Sequence, residues 1–163
     1  MYTYPEAENW ANLQRCTGHQ IAQISGCFTL LHPAHIELFE ETRKQIVSFI
    51  SNSSKLKVVV TINCDLIIKA LKSNIHIPFP AKDRIYMLES LRTVDKAFIF
   101  YEPDPGIIAQ AIMPNFYIKG YDWAGKHLPE LDNISPKPQV IIVETAKHYS
   151  SSFIIHSLTE SNF

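Results

Sequence analysis

Short apolar runs alternate with stretches of helical periodicity along almost the whole chain, and that alternation limits the folds open to it. Ile21 to Phe28 is apolar at most positions and broken by Gly26, and Leu56 to Ile62 is rich in β-branched residues. Strands buried on both faces of a parallel sheet have this near-continuous apolar character. Lys96 to Phe100, Phe116 to Ile118 and Val140 to Val143 read as three more strands. Between them run helical patterns through Ile36, Phe39, Ile46, Val47 and Ile50, through Ile67, Ile68 and Leu71, along Asp83 to Leu91, and through Ile107, Ile108 and Ile112. A last helix spans Ser152 to Leu158, and Asp65 is placed to cap the short helix after the second strand. Polar Ser51 to Ser54 ends a helix, and the proline-rich stretches Asn74 to Pro80 and Asn133 to Pro138 are loops. Strand after helix after strand predicts βα units, hence an α/β fold with about five parallel strands flanked by helices. At 163 residues the chain fits one domain. It divides into an N-terminal extension at residues 1–20 and a domain over 21–160.

Composition removes several classes of partner. Fifteen Lys and Arg stand against sixteen Asp and Glu, giving a net charge of −1. That is not the basic footprint of a nucleic-acid binder. Cys16, Cys27 and Cys64 are odd in number and lack CxxC spacing, which fits reduced thiols in a cytoplasmic protein. Met1 to Asn12 has no basic segment followed by an apolar run, so no signal peptide is expected, and no apolar stretch is long enough to span a bilayer.

His32 and His35 sit three apart around Pro33 and Ala34, directly after the first strand. Pro33 can occupy the first helical turn, where its missing N–H costs nothing. The spacing then turns both imidazoles to one side of that turn. Unpaired N–H groups and the helix dipole favour an anion there, and two imidazoles would add directed donors for phosphate oxygens. Two surface histidines solvating a helix start fit the same spacing. No further Cys or His completes a zinc shell, so no metal-ligating set is expected. Gly26 marks either a close approach of backbone to ligand or an ordinary bulge, and neither GxxxxGK nor GxGxxG is present. Lys72, Arg84 and Lys119 are candidates for neutralising phosphate charge, or plain solvated cations. Lys119-Gly120 followed by Asp122-Trp123 suggests a tight ligand-facing turn, with Trp123 stacking on a base or closing the core. Ser150-Ser151-Ser152 supplies hydroxyls and another helix N-terminus, or only an N-cap. The clusters at 26–35, 119–126 and 149–152 all lie where one element gives way to the next. They are expected to meet at the carboxyl ends of the strands.

The segment Gly26-Cys27-Phe28-Thr29-Leu30-Leu31-His32-Pro33-Ala34-His35 resembles the first motif of the cytidylyltransferase-like nucleotidyltransferases, usually GxFDxxHxGH. Asn63-Cys64-Asp65 resembles the end of the family's next strand, and Lys72 stands where members keep a lysine. Arg84 with the helix to Leu91 and Val94-Asp95 resembles a further stretch. Lys119-Gly120-Tyr121-Asp122-Trp123 is similar to KGxDY or GDDW, and Tyr149-Ser150-Ser151-Ser152 to the closing STT segment. The likeness covers roughly residues 21–158. It implies a single Rossmann-like domain that transfers a nucleoside monophosphate from CTP or ATP, with Mg²⁺, to a phosphorylated sugar or alcohol and releases pyrophosphate. It also implies His32, His35 and Lys72 as catalytic residues. Gly26, Cys27, Phe28, Thr29, Lys119, Asp122, Trp123 and Ser150 to Ser152 are implied in nucleotide binding, and Lys72 and Arg84 in holding acceptor phosphate. A homodimer is the family's habit. The Leu128-Pro129-Glu130 region resembles heptose 1-phosphate adenylyltransferase domains, and Asp122 to Lys126 equally resembles glycerol-3-phosphate cytidylyltransferases. Three positions depart from the pattern: Thr29 stands for Asp, Ala34 for Gly, and His76-Ile77 for Arg-Pro. They favour a second reading, a nucleotide-binding protein of the same fold with weakened catalysis.

Overall fold

The apolar runs pair edge to edge into one sheet: β1 (Gln20–Gly26), β2 (Leu56–Asn63), β3 (Lys96–Phe100), β4 (Phe116–Gly120) and β5 (Gln139–Val143). The structure is a computed structural model that describes residues 4–50, 52, 55–72, 76–145 and 149–160, without the side chains of 152, 156 and 158–160. Ser51, Ser53, Ser54 and Asn74, read above as helix end and loop, lie outside the described residues. The strand order is β3-β2-β1-β4-β5, and every neighbouring pair is parallel. Gly26 stands beside Ile62, and Ile24 beside both Val60 and Ile118. From β1 the chain winds outward to β2 and β3, then returns to the other side of β1 for β4 and β5. The winding reverses between β1 and β4, and in open α/β sheets that reversal leaves a crevice beyond the carboxyl ends of the strands.

The helices are α1 (Pro5–Cys16), α2 (Pro33–Val47), α3 (Asp65–Leu71), α4 (Ala81–Glu89), α5 (Gly106–Ile112) and α6 (Ser151–Glu160). The period of two along β2 sorts them into layers. Val58, Val60 and Ile62 face one core with Phe39 and Ile46 of α2 and Leu88 of α4. Val59 faces the other, with Ala7 and Ala11 of α1 and Ile108 and Ile112 of α5. Residues 5–16, ahead of the first strand, thus form a helix whose small residues lie flat on the sheet. Trp10 meets Phe98 edge-on with ring centroids 6.0 Å apart. The Arg15 guanidinium donates at 2.6 Å to the carbonyl of Ile112, closing the end of α5. Among the described residues no helix is long and apolar enough to cross a membrane.

Two local expectations change. The N-cap position of α3 belongs to Cys64, and Asp65 is the first helical residue. Its carboxylate turns instead to Arg84 and to the N–H of Ala81, tying α3 to the start of α4. Helix α4 begins at Ala81, directly after Pro80, two residues earlier than the apolar stripe indicates.

Candidate functional site

At the end of β1 the chain turns through Phe28, which takes a left-handed backbone, φ 46°. For a bulky residue that conformation is strained and is kept only where packing enforces it. Here the ring does so, lying 4.7 Å from the His35 ring and 5.6 Å from Phe39 by centroids. It also explains Gly26: a Cβ there would come within 2.9 Å of Phe28 Cε2. The glycine makes room for the turn's own side chain.

His32 is the N-cap residue of α2, in extended conformation, and Pro33 opens the helix as the sequence predicts. His35, in the first turn, stacks on His32 with centroids 3.6 Å apart and planes 19° apart. The Nδ1 atoms of both rings are buried and have no hydrogen-bond partner in the protein. Desolvation lowers the pKa of both; for His35, with His32 beside it as a second cause, the value falls to about 3. Both rings are therefore neutral near pH 7. A buried polar atom without a partner is costly, and here two lie side by side at the positive end of a fifteen-residue helix whose first turn holds no acidic residue.

Helix α6 brings a second N-terminus to the same place. Ser151 Oγ donates at 2.8 Å to the carbonyl of Leu30, joining α6 to the loop before α2. Ser150 Oγ accepts the Phe153 N–H at 3.5 Å, a weak cap, and the Tyr149 ring lies 6.2 Å from His32. The side chain of Ser152 lies outside the described residues.

Across the crevice, β4 ends at Lys119-Gly120. Lys119 Nζ lies 2.6 Å from Glu130 Oε1, with side-chain exposures of only 10% and 6%. The ammonium also stands 4.3 Å from the centroid of the Trp123 ring and 5.4 Å from that of Tyr117. Sequence reasoning offered Lys119 as a free cation for phosphate; in the structure its charge is matched by a buried carboxylate, and it braces the indole. Asp122 folds back over Gly120, where a Cβ would meet Asp122 Oδ1 at 2.8 Å.

These groups line one cleft of about 1040 Å³. From the first motif it takes Gly26, Cys27, Phe28, Thr29, His32 and His35; from the β4 end, Lys119, Asp122 and Trp123; from the last segment, Ser150 and Ser151. Lys72, exposed at the end of α3, reaches the same rim. Thr29 is almost wholly buried in the cleft wall.

Arg84 has a different place from the one expected. It is fully buried and absent from the cleft lining. Its guanidinium donates to the carbonyls of Cys27 and Asn63 and to Asp65, so it fastens the ends of β1 and β2 beneath the cleft. These acceptors lie 57, 21 and 19 residues before Arg84, and the motif spacing gave no sign of them. Sequence reasoning also missed Glu130 and Asp104 as lining carboxylates. Pro129 at the first position of a 3₁₀ turn was the one signal that Glu130 would be held in place. Among the described residues no three His, Cys, Asp or Glu side chains are grouped so as to hold a metal ion.

Fold and cleft together define a Rossmann-like α/β domain with its cleft at the switch point of the sheet. The chain belongs to the cytidylyltransferase-like family, which matches residues 24–158. It is similar to the bifunctional protein HldE of Acidiphilium cryptum (strain JF-5), 34% identical over 117 residues, covering 72% of this chain and 21% of that one. The bifunctional protein HldE of Aliarcobacter butzleri (strain RM4018) is 32% identical over 124 residues, covering 76% and 24%. The chain thus spans about a quarter of the length of these relatives. Among solved structures, the lipopolysaccharide core biosynthesis protein from Thermoplasma volcanium GSS1 superimposes with a TM-score of 0.59 at 22% identity, over 81% of this chain and all of that one, a likeness of fold.

Proposed function

We propose that the protein transfers CMP or AMP from CTP or ATP to the phosphate of a phosphorylated sugar or alcohol. The observation that carries this is the stacked His32–His35 pair, with two buried, unpartnered Nδ1 atoms at the N-terminus of α2. Each neutral imidazole can donate to a phosphate oxygen through Nε2, which is not among the buried, unpartnered atoms, and the buried Nδ1 is then the unprotonated nitrogen, with no proton to place. The acceptor's phosphate oxygen attacks the α-phosphorus, the bond to the β-phosphate oxygen breaks, and pyrophosphate leaves with that electron pair. No protein nucleophile is required. The chain's work is alignment of the two phosphates and stabilisation of charge building on the α-phosphate and bridging oxygen. His32 and His35 do this from one side and the Ser150–Ser151 helix start from the other, with Lys72 at the rim toward the acceptor. Trp123, braced by Lys119, offers its face to the base.

Mg²⁺ fits this reading as a companion of the triphosphate. The cleft offers single carboxylates such as Asp104 and Asp122, while phosphate oxygens and water can fill an octahedral shell. When bound, the ion offsets phosphate charge. The homodimer suggested by the family resemblance belongs to the same reading and is checked by light scattering.

The test is pyrophosphate release with CTP and with ATP against a panel of phosphorylated sugars and alcohols, for the wild type and His35→Ala. Loss of one directed donor in an oxyanion site costs about 10²- to 10³-fold in kcat, and KM should change little. A folded His35→Ala with rates within about threefold of wild type, under 1 kcal/mol, overturns the assignment of His35. Thr29 and Ala34 bear on the weaker-catalysis reading, since both line the cleft in place of the family's Asp and Gly. A wild type that binds triphosphate but releases no pyrophosphate with any acceptor selects that reading.

A further inference from the structure

One wall of the cleft is the turn between β3 and α5, through Pro103, Asp104 and Pro105. What holds that turn comes from outside the sheet. Tyr4, just ahead of α1, is buried, and its hydroxyl donates to Glu102 Oε2 while accepting the Tyr101 N–H at 2.9 Å. The Glu102 carbonyl in turn accepts from Asn63 Nδ2 at 3.4 Å, at the end of β2. Asn63 Oδ1 accepts from Cys27 Sγ at 3.6 Å, at the end of β1. Four residues therefore form a hydrogen-bonded chain across the carboxyl ends of β3, β2 and β1, from the N-terminal helix to the residue that follows Gly26. Glu102 Oε1 is buried and has no partner, so the carboxylate is held through its other oxygen alone. Burial and that neighbouring carboxylate push the Tyr4 phenol well above its usual range, which keeps the hydroxyl a donor.

We propose that Tyr4 is a positioning residue for the cleft: through Glu102 and Asn63 it fixes the β3–α5 turn and Cys27, so that docking of α1 and the shape of the cleft are coupled. The proposal rests on the nucleotide reading only for the identity of what fills the cleft. The coupling itself belongs to the protein without ligand.

Tyr4→Phe removes the hydroxyl and keeps the ring. Arg15→Ala, at the other end of the same helix, breaks the clamp on Ile112 without touching the cleft, and is the control for mere loosening of α1. The first readout needs no nucleotide: the rate at which iodoacetamide alkylates Cys27, followed by peptide mass spectrometry, with an added cysteine-containing peptide as internal reference. Expected is an acceleration of roughly three- to tenfold in Tyr4→Phe, the scale of couplings carried through intermediate side chains, and none in Arg15→Ala. The second readout is triphosphate affinity by calorimetry, with Kd rising on the same scale in Tyr4→Phe alone. Equal Cys27 rates in Tyr4→Phe and wild type, or equal acceleration in both variants, overturn the proposal whether or not nucleotide binds. A wild type that binds neither CTP nor ATP overturns the nucleotide reading instead, and the Cys27 comparison still decides the role of Tyr4.

Discussion

Acid should weaken the folded protein through His35, whose burial disfavours the protonated ring. Burial holds this imidazole at about 3 in the folded chain, against about 6.5 for an exposed histidine. Between those values the unfolded chain carries a proton that the folded chain does not. Stability therefore rises with pH over that window: the contribution is complete above about 6.5 and is lost as pH falls toward 3. From pH 7 to pH 5 the unfolded state gains about 2 kcal/mol from protonating this one residue. The figure barely depends on the folded value, since His35 stays neutral at pH 5 even if that value is a unit higher. His35→Asn removes the titration and keeps a polar side chain of moderate size. Urea unfolding at both pH values, for wild type and variant, gives the difference of differences. Groups remote from the histidine pair contribute alike in both proteins and cancel. Expected is a wild type that loses about 2 kcal/mol more than the variant on acidification. If the two lose the same to within about 0.5 kcal/mol, His35 is not desolvated as its surroundings imply, and the neutral-donor role argued for it falls with it.

Two further substitutions probe the cleft walls. Lys119→Met strips the cation from buried Glu130 and should destabilise by about 3–5 kcal/mol at pH 7, as breaking a buried pair does. Adding Glu130→Gln to the same chain should return most of that, and a single variant within about 1 kcal/mol of wild type in urea unfolding would show that the pair is not buried in solution. Gly26→Ala puts a methyl against the Phe28 ring, and a cost of about 1–3 kcal/mol in melting experiments is expected, the usual range for overpacking. No loss at all would mean that the ring does not rest on Gly26.

The strands of the sheet were legible because their apolar runs are short, β-branched and separated by helical spacing, and Pro33 announced the start of α2. Given those elements, the meeting of the three polar clusters follows from the geometry of a parallel sheet. What could not be read were the partners of charged side chains. Arg84 looks like any surface arginine in sequence, yet two carbonyls and Asp65 let it lie fully buried. Lys119 seemed free because Glu130 lies on a separate 3₁₀ turn, beyond the reach of any local rule. Helix α1 escaped because its buried face is built on Ala7 and Ala11, and small residues leave little trace in a hydrophobic pattern. Gly26 allowed two readings, a close approach of ligand or a bulge, and the sequence gave no sign of the left-handed Phe28 two residues on, whose ring a Cβ there would meet.

The hydrogen bond from Ser151 to the carbonyl of Leu30 joins positions 121 residues apart. Contacts of such long range form late, because the entropy of closing the loop is spent before they return anything. During synthesis the paired histidines emerge early, while α6 follows only after the whole sheet has been made, many seconds later at ordinary elongation rates of about 5–20 residues per second. An incomplete chain can thus carry the paired histidines with nothing opposite them. The cleft gains its last wall from α6, which is made only after every strand of the sheet.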